Sequence, residues 1–320
     1  MAAIQNWQNK PYYSLDAYCK NELHHKCYKI ALNGGMTCPN RDGTLDSRGC
    51  IFCSAGGSGD FAALGASIEQ QLAQGKALFG DKQVGNHFIA YFQAYTNTYA
   101  PVNYLERLYT QALACPEVCG ISIATRPDCL GEAVLALLNR LKKQFPDKFL
   151  WIELGLQTIH EETARYIRRG YTLPCFAKAA TDLKALDIPY IVHVILGLPG
   201  ETPEMIYETI DYLNTQGPFG IKLQLLHVLS GTDLAADYHA GLFKVYEKEE
   251  YLEVLIHCLE LLSPDIVIHR LTGDGPKSLL LAPAWSLNKR DVLNSLHRKM
   301  KLANTYQGRL FHATRPIDTI

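Results

Sequence analysis

The sequence predicts an α/β chain: a partial parallel barrel of six βα units followed by a C-terminal α/β extension. Strand-like and helix-like segments alternate at a spacing of roughly 30 residues, the size of a βα unit. The strand-like segments carry apolar residues at neighbouring positions, as expected when helices cover one face of a parallel sheet and a packed interior the other. Every strand then runs into a polar or glycine-rich cluster at the same end, where parallel barrels build their sites.

Taken in order, the first strand is expected over 28–33 (YKIALN) and leads directly into a cysteine-containing loop. The second, 87–93 (HFIAYFQ), ends in QAYTNTY and precedes the amphipathic helix NYLERLYTQALA. The third, 119–125 (CGISIAT), ends in TRPD before GEAVLALLNRLKKQF. The fourth, 149–156 (FLWIELGL), ends in LQT before CFAKAATDLKALD. The fifth, 190–198 (YIVHVILGL), ends in GLPGET, where Glu201, Thr202 and Pro203 read as the opening of the helix PEMIYETIDYLNTQ. Gly197 and Gly200 fit either a tight turn or a close approach to a ligand. The sixth, 221–229 (IKLQLLHVL), ends in HVLSGTD. Beyond it the pattern weakens to a helix near 248–262, a strand-like IVIHRL, the loop TGDGPK and a basic helix near 288–303. The division expected is an N-terminal segment packing on the barrel (1–27), the barrel (28–233) and the extension (234–320).

Composition narrows the function classes. With 320 residues, 48% hydrophobic and 20% charged, the chain has an ordinary globular balance. No apolar leader opens the sequence and no run of 18 or more apolar residues occurs, which argues against secretion and membrane spans. Ten unevenly spaced cysteines do not read as a disulfide framework, so a reducing, cytoplasmic setting is expected. The net charge of −1 is uneven: residues 266–320 hold nine basic and three acidic side chains, or +6. The remainder holds 22 basic and 29 acidic, or −7. A basic end on an acidic body fits a polyanion partner, nucleic acid first, with a merely solvated helix face as the alternative.

The chemistry-bearing motif is CPNRDGTLDSRGCIFC, with Cys38, Cys50 and Cys53. Three thiolates can hold an iron–sulfur cube by three corners and leave one iron open. Phe52 would set a flat ring beside that iron. Zinc is the competing reading, because C-x-x-C also begins zinc knuckles. No second paired motif follows, but His24, His25 and Cys27 are near enough in sequence to complete such a site. The other seven cysteines form no cluster pattern and read as buried small residues, with Cys115 and Cys119 as a possible auxiliary pair.

Beside this loop stand LNGGMTCPNRDGT, YFQAYTNTYAP, TRPD, ELGLQT, VILGLPGET, HRLTGDGPK and APAWSLNK, in order across nearly the whole chain. With these segments the sequence resembles the radical S-adenosylmethionine (SAM) superfamily, and more closely its YhcC/YtqA-like (MnmL-like) branch. The first cysteine gap is longer than in the commonest triad, C-x₃-C-x₂-C. The Elongator catalytic-subunit type shares an enlarged gap and a similar TRPD segment.

That resemblance implies a TIM-like barrel, a 4Fe–4S cluster on the three cysteines, and SAM bound by the open iron. One electron, from a donor such as flavodoxin or ferredoxin, would cleave SAM to methionine and a 5′-deoxyadenosyl radical that abstracts hydrogen from an unreactive C–H bond. By similarity to the oxygen-independent coproporphyrinogen oxidase pattern, Gln157 would hold the ribose and Arg169 the carboxylate of SAM, with Arg168 as the neighbour easily mistaken for it. Ala94, Tyr95 and Thr96 stand where a glycine-rich motif normally takes the amino group. His193 replaces a ribose-binding acid, and Ala124 a glutamate; a core histidine is the plainer reading of His193. The branch implies a tRNA substrate, with carboxymethylaminomethyl converted to aminomethyl on carbon 5 of the wobble uridine. Asp274, Arg270 and Lys277 are the candidates for substrate recognition or proton handling, and Trp285 and Tyr306 for base stacking. Two other readings stay open: a radical SAM enzyme of a small molecule or peptide, and a non-catalytic metal-binding or redox-sensing protein.

Overall fold

In the computed structural model, residues 7–57, 59–60, 62, 67–80 and 85–312 are described. Arg315 and Asp318, two of the charges counted in the basic end, lie outside them, as do the first six residues of the N-terminal segment.

The short helix α1 (Leu15–Glu22) opens the chain, capped by the Ser14 hydroxyl. Strand and helix then alternate as β1 (Tyr28–Leu32), α2 (Ile68–Ala77), β2 (Phe88–Phe92), α3 (Val102–Ala114), β3 (Val118–Thr125) and α4 (Glu132–Gln144). They continue as β4 (Phe149–Gln157), α5 (Glu161–Tyr166), α6 (Leu173–Ala185), β5 (Tyr190–Leu196), α7 (Pro203–Gln216) and β6 (Gly220–Leu225). The rest is β7 (Val228–Leu229), α8 (Asp233–His239), α9 (Lys248–Leu261), β8 (Val267–Arg270), β9 (Leu280–Ala282) and α10 (Lys289–Leu302).

The helices between the strands cover the sheet with one face, while α10 packs on α9 and α8 on β7. In α3 the buried residues Leu105, Tyr109, Ala112 and Leu113 recur at helical spacing. Thr202 caps α7 with Pro203 in its first turn, so the ETP segment opens a helix as expected. Gly197 and Gly200 both hold left-handed backbone (φ 86° and 85°), which accounts for their place in the turn before it.

The seven-stranded sheet runs β1-β2-β3-β4-β5-β6-β8, and every pair is parallel. It is a curled partial barrel with six strands in sequence order, as predicted. The strand expected in the C-terminal extension is its seventh. The predicted sixth strand is split: β6 ends at Leu225, and β7 leaves to pair antiparallel with β9. That small ribbon carries the TGDGPK segment back over the barrel.

One expectation needs correction. The strands are apolar on their outward faces, where residues such as Ile30, Leu32, Ile152, Leu154, Val192 and Leu223 join the helix-facing core. Their inward faces are layered. The lowest layer is apolar: Ile89, Trp151 and Ile191, closed by Phe149 stacked on Trp151 at 3.9 Å and by Tyr18 of α1 edge-on to Phe219 at 4.9 Å. Above it, single polar residues at alternate strand positions (Lys29, Tyr91, Ser122, Glu153, His193, Lys222) face one another. A barrel interior open at one end can hold such a layer because each charge finds a partner there.

Candidate active site at the barrel mouth

The cysteine loop leaves the end of β1 and folds back on itself. Backbone bonds Arg41 N to Cys38 O (2.8 Å), Leu45 N to Pro39 O (2.8 Å) and Gly49 N to Asn40 O (2.7 Å) shape it. Gly49 has φ +80°, and a Cβ there would meet Arg41 Nε at 2.8 Å, so glycine is required. Arg41 crosses the loop and donates to the carbonyls of Cys53 (2.9 Å) and Ser54 (2.5 Å). Asn40, buried, donates its amide to Cys50 Sγ (3.5 Å) and to the Arg168 carbonyl (2.7 Å).

Cys38, Cys50 and Cys53 all line one cavity of about 280 Å³ at the mouth, with Phe52, Tyr95, Thr96, Gln157, Arg169 and His193. The Cys50 thiol is pulled down to about 6, first by its hydrogen bond with Cys53, with the Asn40 amide and the nearby Arg126 and Arg41 adding to this against burial. Amide donation to sulfur and a cationic surround both suit thiolate ligands of an anionic cluster. Among the described residues no three His, Cys, Asp or Glu converge on a single ion. A cube, by contrast, spreads its thiolates over separate irons.

The spare zinc ligands lie elsewhere. Cys27 precedes β1, its Sγ 3.3 Å from His25 Nδ1 and 3.6 Å from Cys119 Sγ. His25 stacks on His87 at 3.7 Å. These groups sit at the starts of β1, β2 and β3, the opposite end of the barrel from the cysteine loop. Cys119 thus neighbours Cys27, while Cys115 donates to Gln111 O, so that auxiliary pair is not assembled.

The candidate SAM residues differ in their surroundings. Gln157 sits on a bulge between β4 and β5 with φ +62°, strained for a non-glycine residue. Its Oε1 accepts from Tyr171 at 3.2 Å. Arg169 is buried and largely committed: it donates to the carbonyls of Leu156 (3.1 Å), Thr158 (2.7 Å) and Tyr171 (2.9 Å) and to Glu161 Oε1 (3.2 Å). Arg168 is tied to Asp233 at 2.5 Å and does not line the cavity. Tyr95 (φ +59°) donates to the Ala55 carbonyl at 2.7 Å. Ala94 is buried outside the lining, against Gly59. His193 donates its Nε2–H to Glu153 Oε2 at 2.6 Å rather than standing alone in the core. Burial first, and then Lys222, lowers it to about 4, so the ring is neutral at pH 7.

Several lining residues escaped sequence reasoning. Arg126 of TRPD forks onto Asp128 (2.9 and 2.7 Å) and lies over the Tyr171 ring at 4.9 Å. Glu153, with no exposed side-chain surface, accepts from Lys29 (2.7 Å), Ser122 (2.6 Å), His193 and Lys222. Burial raises its pKa, but Lys222, Lys29 and His193 outweigh this and hold it well below the usual carboxylate range. Burial draws Lys222 the other way, toward deprotonation. With four donors on one carboxylate, the pair is charged. The legible signal was a lone charge inside each apolar strand: YKIAL, IELGL, IKLQL.

Of the three substrate-side candidates, Arg270 and Asp274 line the cavity as an ion pair (3.1 Å), and Lys289 joins Asp274 at 2.9 Å. Burial opposes the charge on Asp274, and Arg270 and Lys289 overcome it, lowering its pKa. Lys277 is exposed on the loop and is not part of the lining. The glycines of TGDGPK have a steric reason. A Cβ on Gly273 would lie 2.5 Å from His227 Cε1, and one on Gly275 would lie 2.9 Å from its Nδ1. The loop clasps the His227 ring and thereby presents Asp274. Trp285 is packed on Tyr251 (5.6 Å) with its N–H on the Tyr246 carbonyl (3.1 Å), so it is not available to stack a base, whereas Tyr306 is exposed.

A partial parallel barrel with three cysteines on the loop after its first strand defines an enzyme class, and the comparisons agree. The Radical SAM superfamily profile matches residues 46–213 and the Radical SAM C-terminal domain profile residues 218–302. The chain is 40% identical over 303 residues to the uncharacterized protein YtqA of Bacillus subtilis, covering 94% of this chain and 93% of that one. It therefore belongs to the radical SAM superfamily of enzymes, whose members use a 4Fe–4S cluster and SAM, and within it to the YhcC/YtqA-like branch related to the Elongator type. Over 174 residues it is 28% identical to a tRNA uridine(34) acetyltransferase of Methanocaldococcus jannaschii, covering 52% of this chain but only 30% of that protein. The archaeal Methanocaldococcus infernus Elp3 structure shares the fold, with TM-score 0.65 and 17% identity over 88% of this chain and 64% of that one. Among the described residues no helix is long and apolar enough to cross a membrane.

Proposed function

We propose that Cys38, Cys50 and Cys53 hold a 4Fe–4S cluster and that the enzyme uses SAM to convert the carboxymethylaminomethyl group on carbon 5 of a tRNA wobble uridine to aminomethyl. One observation carries the cofactor half: the three cysteines and the strand-end polar residues, far apart in sequence, line a single cavity. When bound, the cluster and SAM supply a radical able to take hydrogen from a C–H bond beside nitrogen.

The chain's own residues position and exclude. Asn40 and Arg41 fix the thiolates. Phe52, Tyr95, Thr96, Gln157, Arg169 and His193 frame the space for SAM, with Ala94 buried just before Tyr95 in the chain and Arg126 adding a positive charge. Arg169 has most of its donors spent on the backbone, so it acts there chiefly by charge and by holding Gln157's strand end. The aromatic layer beneath closes the floor to water. Asp274 and Arg270 face the substrate side, with Lys277 at the rim.

The tRNA half is supported by the Elongator-type and tRNA uridine(34) relatives and by the basic end, residues 266–320, of the C-terminal extension (234–320). Arg290, Arg298 and Lys301 on or beside the exposed face of α10 make no ion pair among the described residues, unlike Lys289 and Lys299. Free cations of this kind suit a phosphate backbone. Reduction by a flavodoxin or ferredoxin belongs to the same proposal.

Two measurements test it. Anaerobic reconstitution with iron and sulfide should yield a protein that forms 5′-deoxyadenosine from SAM and dithionite; no deoxyadenosine and a zinc-only content would sink the cofactor assignment. Mass spectrometry of tRNA nucleosides from a deletion strain should show carboxymethylaminomethyl uridines accumulating. An unchanged nucleoside profile, with SAM cleavage intact, would point to a small molecule or peptide instead.

A further inference from the structure

The barrel sheet does not close. Its edges are β1 and β8, and Ser14 bridges to Ile268 beside the latter. Between the edges lies a cleft of about 370 Å³ that shares Tyr91, Lys222, His227 and Arg270 with the mouth cavity and continues it sideways. The lining is unbalanced in charge. Among the described residues, Lys29, Lys222, Arg270 and Lys289 meet only two carboxylates, Glu153 and Asp274. Lys222 spends its donors on Glu153 and Tyr91. Arg270 makes a single contact, through Nη2 to Asp274, and its remaining guanidinium N–H groups have no partner among the described residues. Lys29 has one hydrogen bond, to Glu153, which leaves two of its three N–H groups with which to make others.

A second observation points the same way. His227 Nε2 and both ring nitrogens of His269, which line this cleft, are buried without a hydrogen-bond partner among the described residues. A buried polar atom left unpaired costs free energy and marks a place where a ligand would complete the site. Burial keeps both imidazoles neutral, lowering His227 to about 4 and His269 well below its usual value. Each then carries one N–H to offer.

A surplus of cations, a guanidinium with an unused edge and neutral imidazole donors together make an oxyanion site. We propose that the cleft between β1 and β8 binds a carboxylate of the substrate, read by Arg270 with Lys29, His227 and His269 around it. The site lies beside the mouth cavity, so a substrate anchored there by its carboxylate presents the neighbouring carbon to the space beneath the cysteines. This rests on the wobble-uridine reading, whose carboxymethylaminomethyl group ends in a carboxylate.

The test has two arms, both on the reconstituted, SAM-bound protein. In the first, acetate is titrated against chloride at matched ionic strength and thermal unfolding is followed. The wild type should be stabilised by acetate and Arg270→Gln should not, while Arg270→Lys, which keeps the charge and loses the fork, should retain part of the effect. No acetate-specific stabilisation of the wild type overturns the cleft, whatever the substrate. In the second arm, tRNA bearing carboxymethylaminomethyl uridine is compared with the same tRNA bearing aminomethyl uridine. The first should bind roughly tenfold or more tightly, as a charged hydrogen-bonded contact implies, and Arg270→Gln should abolish the preference. If Arg270→Gln instead weakens both tRNAs equally, the cleft reads backbone phosphate and the carboxylate assignment is overturned. If acetate acts as expected but neither tRNA binds the wild type, the cleft stands and the wobble-uridine reading fails.

Discussion

Replacing Glu153 by glutamine tests the polar layer at its hub. The carboxylate is buried, and Lys29, Lys222, His193 and Ser122 all point at it. Glutamine keeps the shape but turns an amide NH₂ toward one of two ammonium groups and leaves both without a counter-charge. Breaking a buried ion pair from one side costs about 3–5 kcal/mol. Unfolding entropy of about 2.1 cal/mol/K per residue gives about 0.7 kcal/mol/K for 320 residues. The apparent Tm of the anaerobic holoprotein should therefore fall by about 4–7 °C. Glu153→Gln combined with Lys222→Met should recover most of that loss. The pH dependence has a definite sign. A carboxylate held below its ordinary value contributes above that value and loses its contribution as pH falls through the depressed folded one. The gap between wild type and variant, read by circular dichroism melts, should thus hold from neutral pH to the ordinary carboxylate range and close only in stronger acid. A Tm within about 1 °C of wild type at pH 7 would refute the reasoning, because it would mean the lysines need no counter-charge.

Other outcomes follow from the same geometry. Gly273→Ala should cost about 1–3 kcal/mol in urea unfolding, because its methyl meets the His227 ring, and His227→Ala should relieve most of it. In the metal-free protein Cys50 should alkylate with half-maximal rate near pH 6, far below an ordinary thiol, and Cys53→Ala should move that midpoint upward; a midpoint near 9 in the parent protein would contradict the Cys53–Cys50 hydrogen bond. Asn40→Ala removes an amide donor to Cys50 Sγ and should lower retention of reconstituted iron roughly tenfold against a chelator, with no loss expected if the amide serves only the loop.

The outward half of this molecule was written plainly in the sequence, and the inward half was not. Segments such as PEMIYETIDYLNTQ show helical spacing strongly enough that α7 matches the reading to the residue. A strand's helix-facing residues are likewise apolar whichever fold they serve. The inward residues obey a different rule. Lys29, Glu153 and Lys222 are each an isolated charge in an apolar run, and nothing local says that the three meet, since their partners are set by strand order and register. The same holds for Arg270 and Asp274, whose cavity position depends on β8 joining the barrel edge. Only one split was locally hidden: the sixth strand reads as continuous through Leu229, and the turn at Leu226 and His227 arises from pairing with β9 some fifty residues later.

The Gly49 N to Asn40 O bond has a consequence for the cysteine spacing itself. It joins the two sides of the loop at its base, so residues 41–48 form a side excursion from the main path. Traced across that bond, the path reads Cys38, Pro39, Asn40, Gly49, Cys50, Ile51, Phe52, Cys53. Three residues then separate the first two cysteines and two separate the last, which is the commonest radical SAM triad with an eight-residue stitch drawn out of it. The lengthened gap is in this sense a decoration on a conventional socket, and its first residue, Arg41, reaches back from the excursion to brace the Cys53 carbonyl.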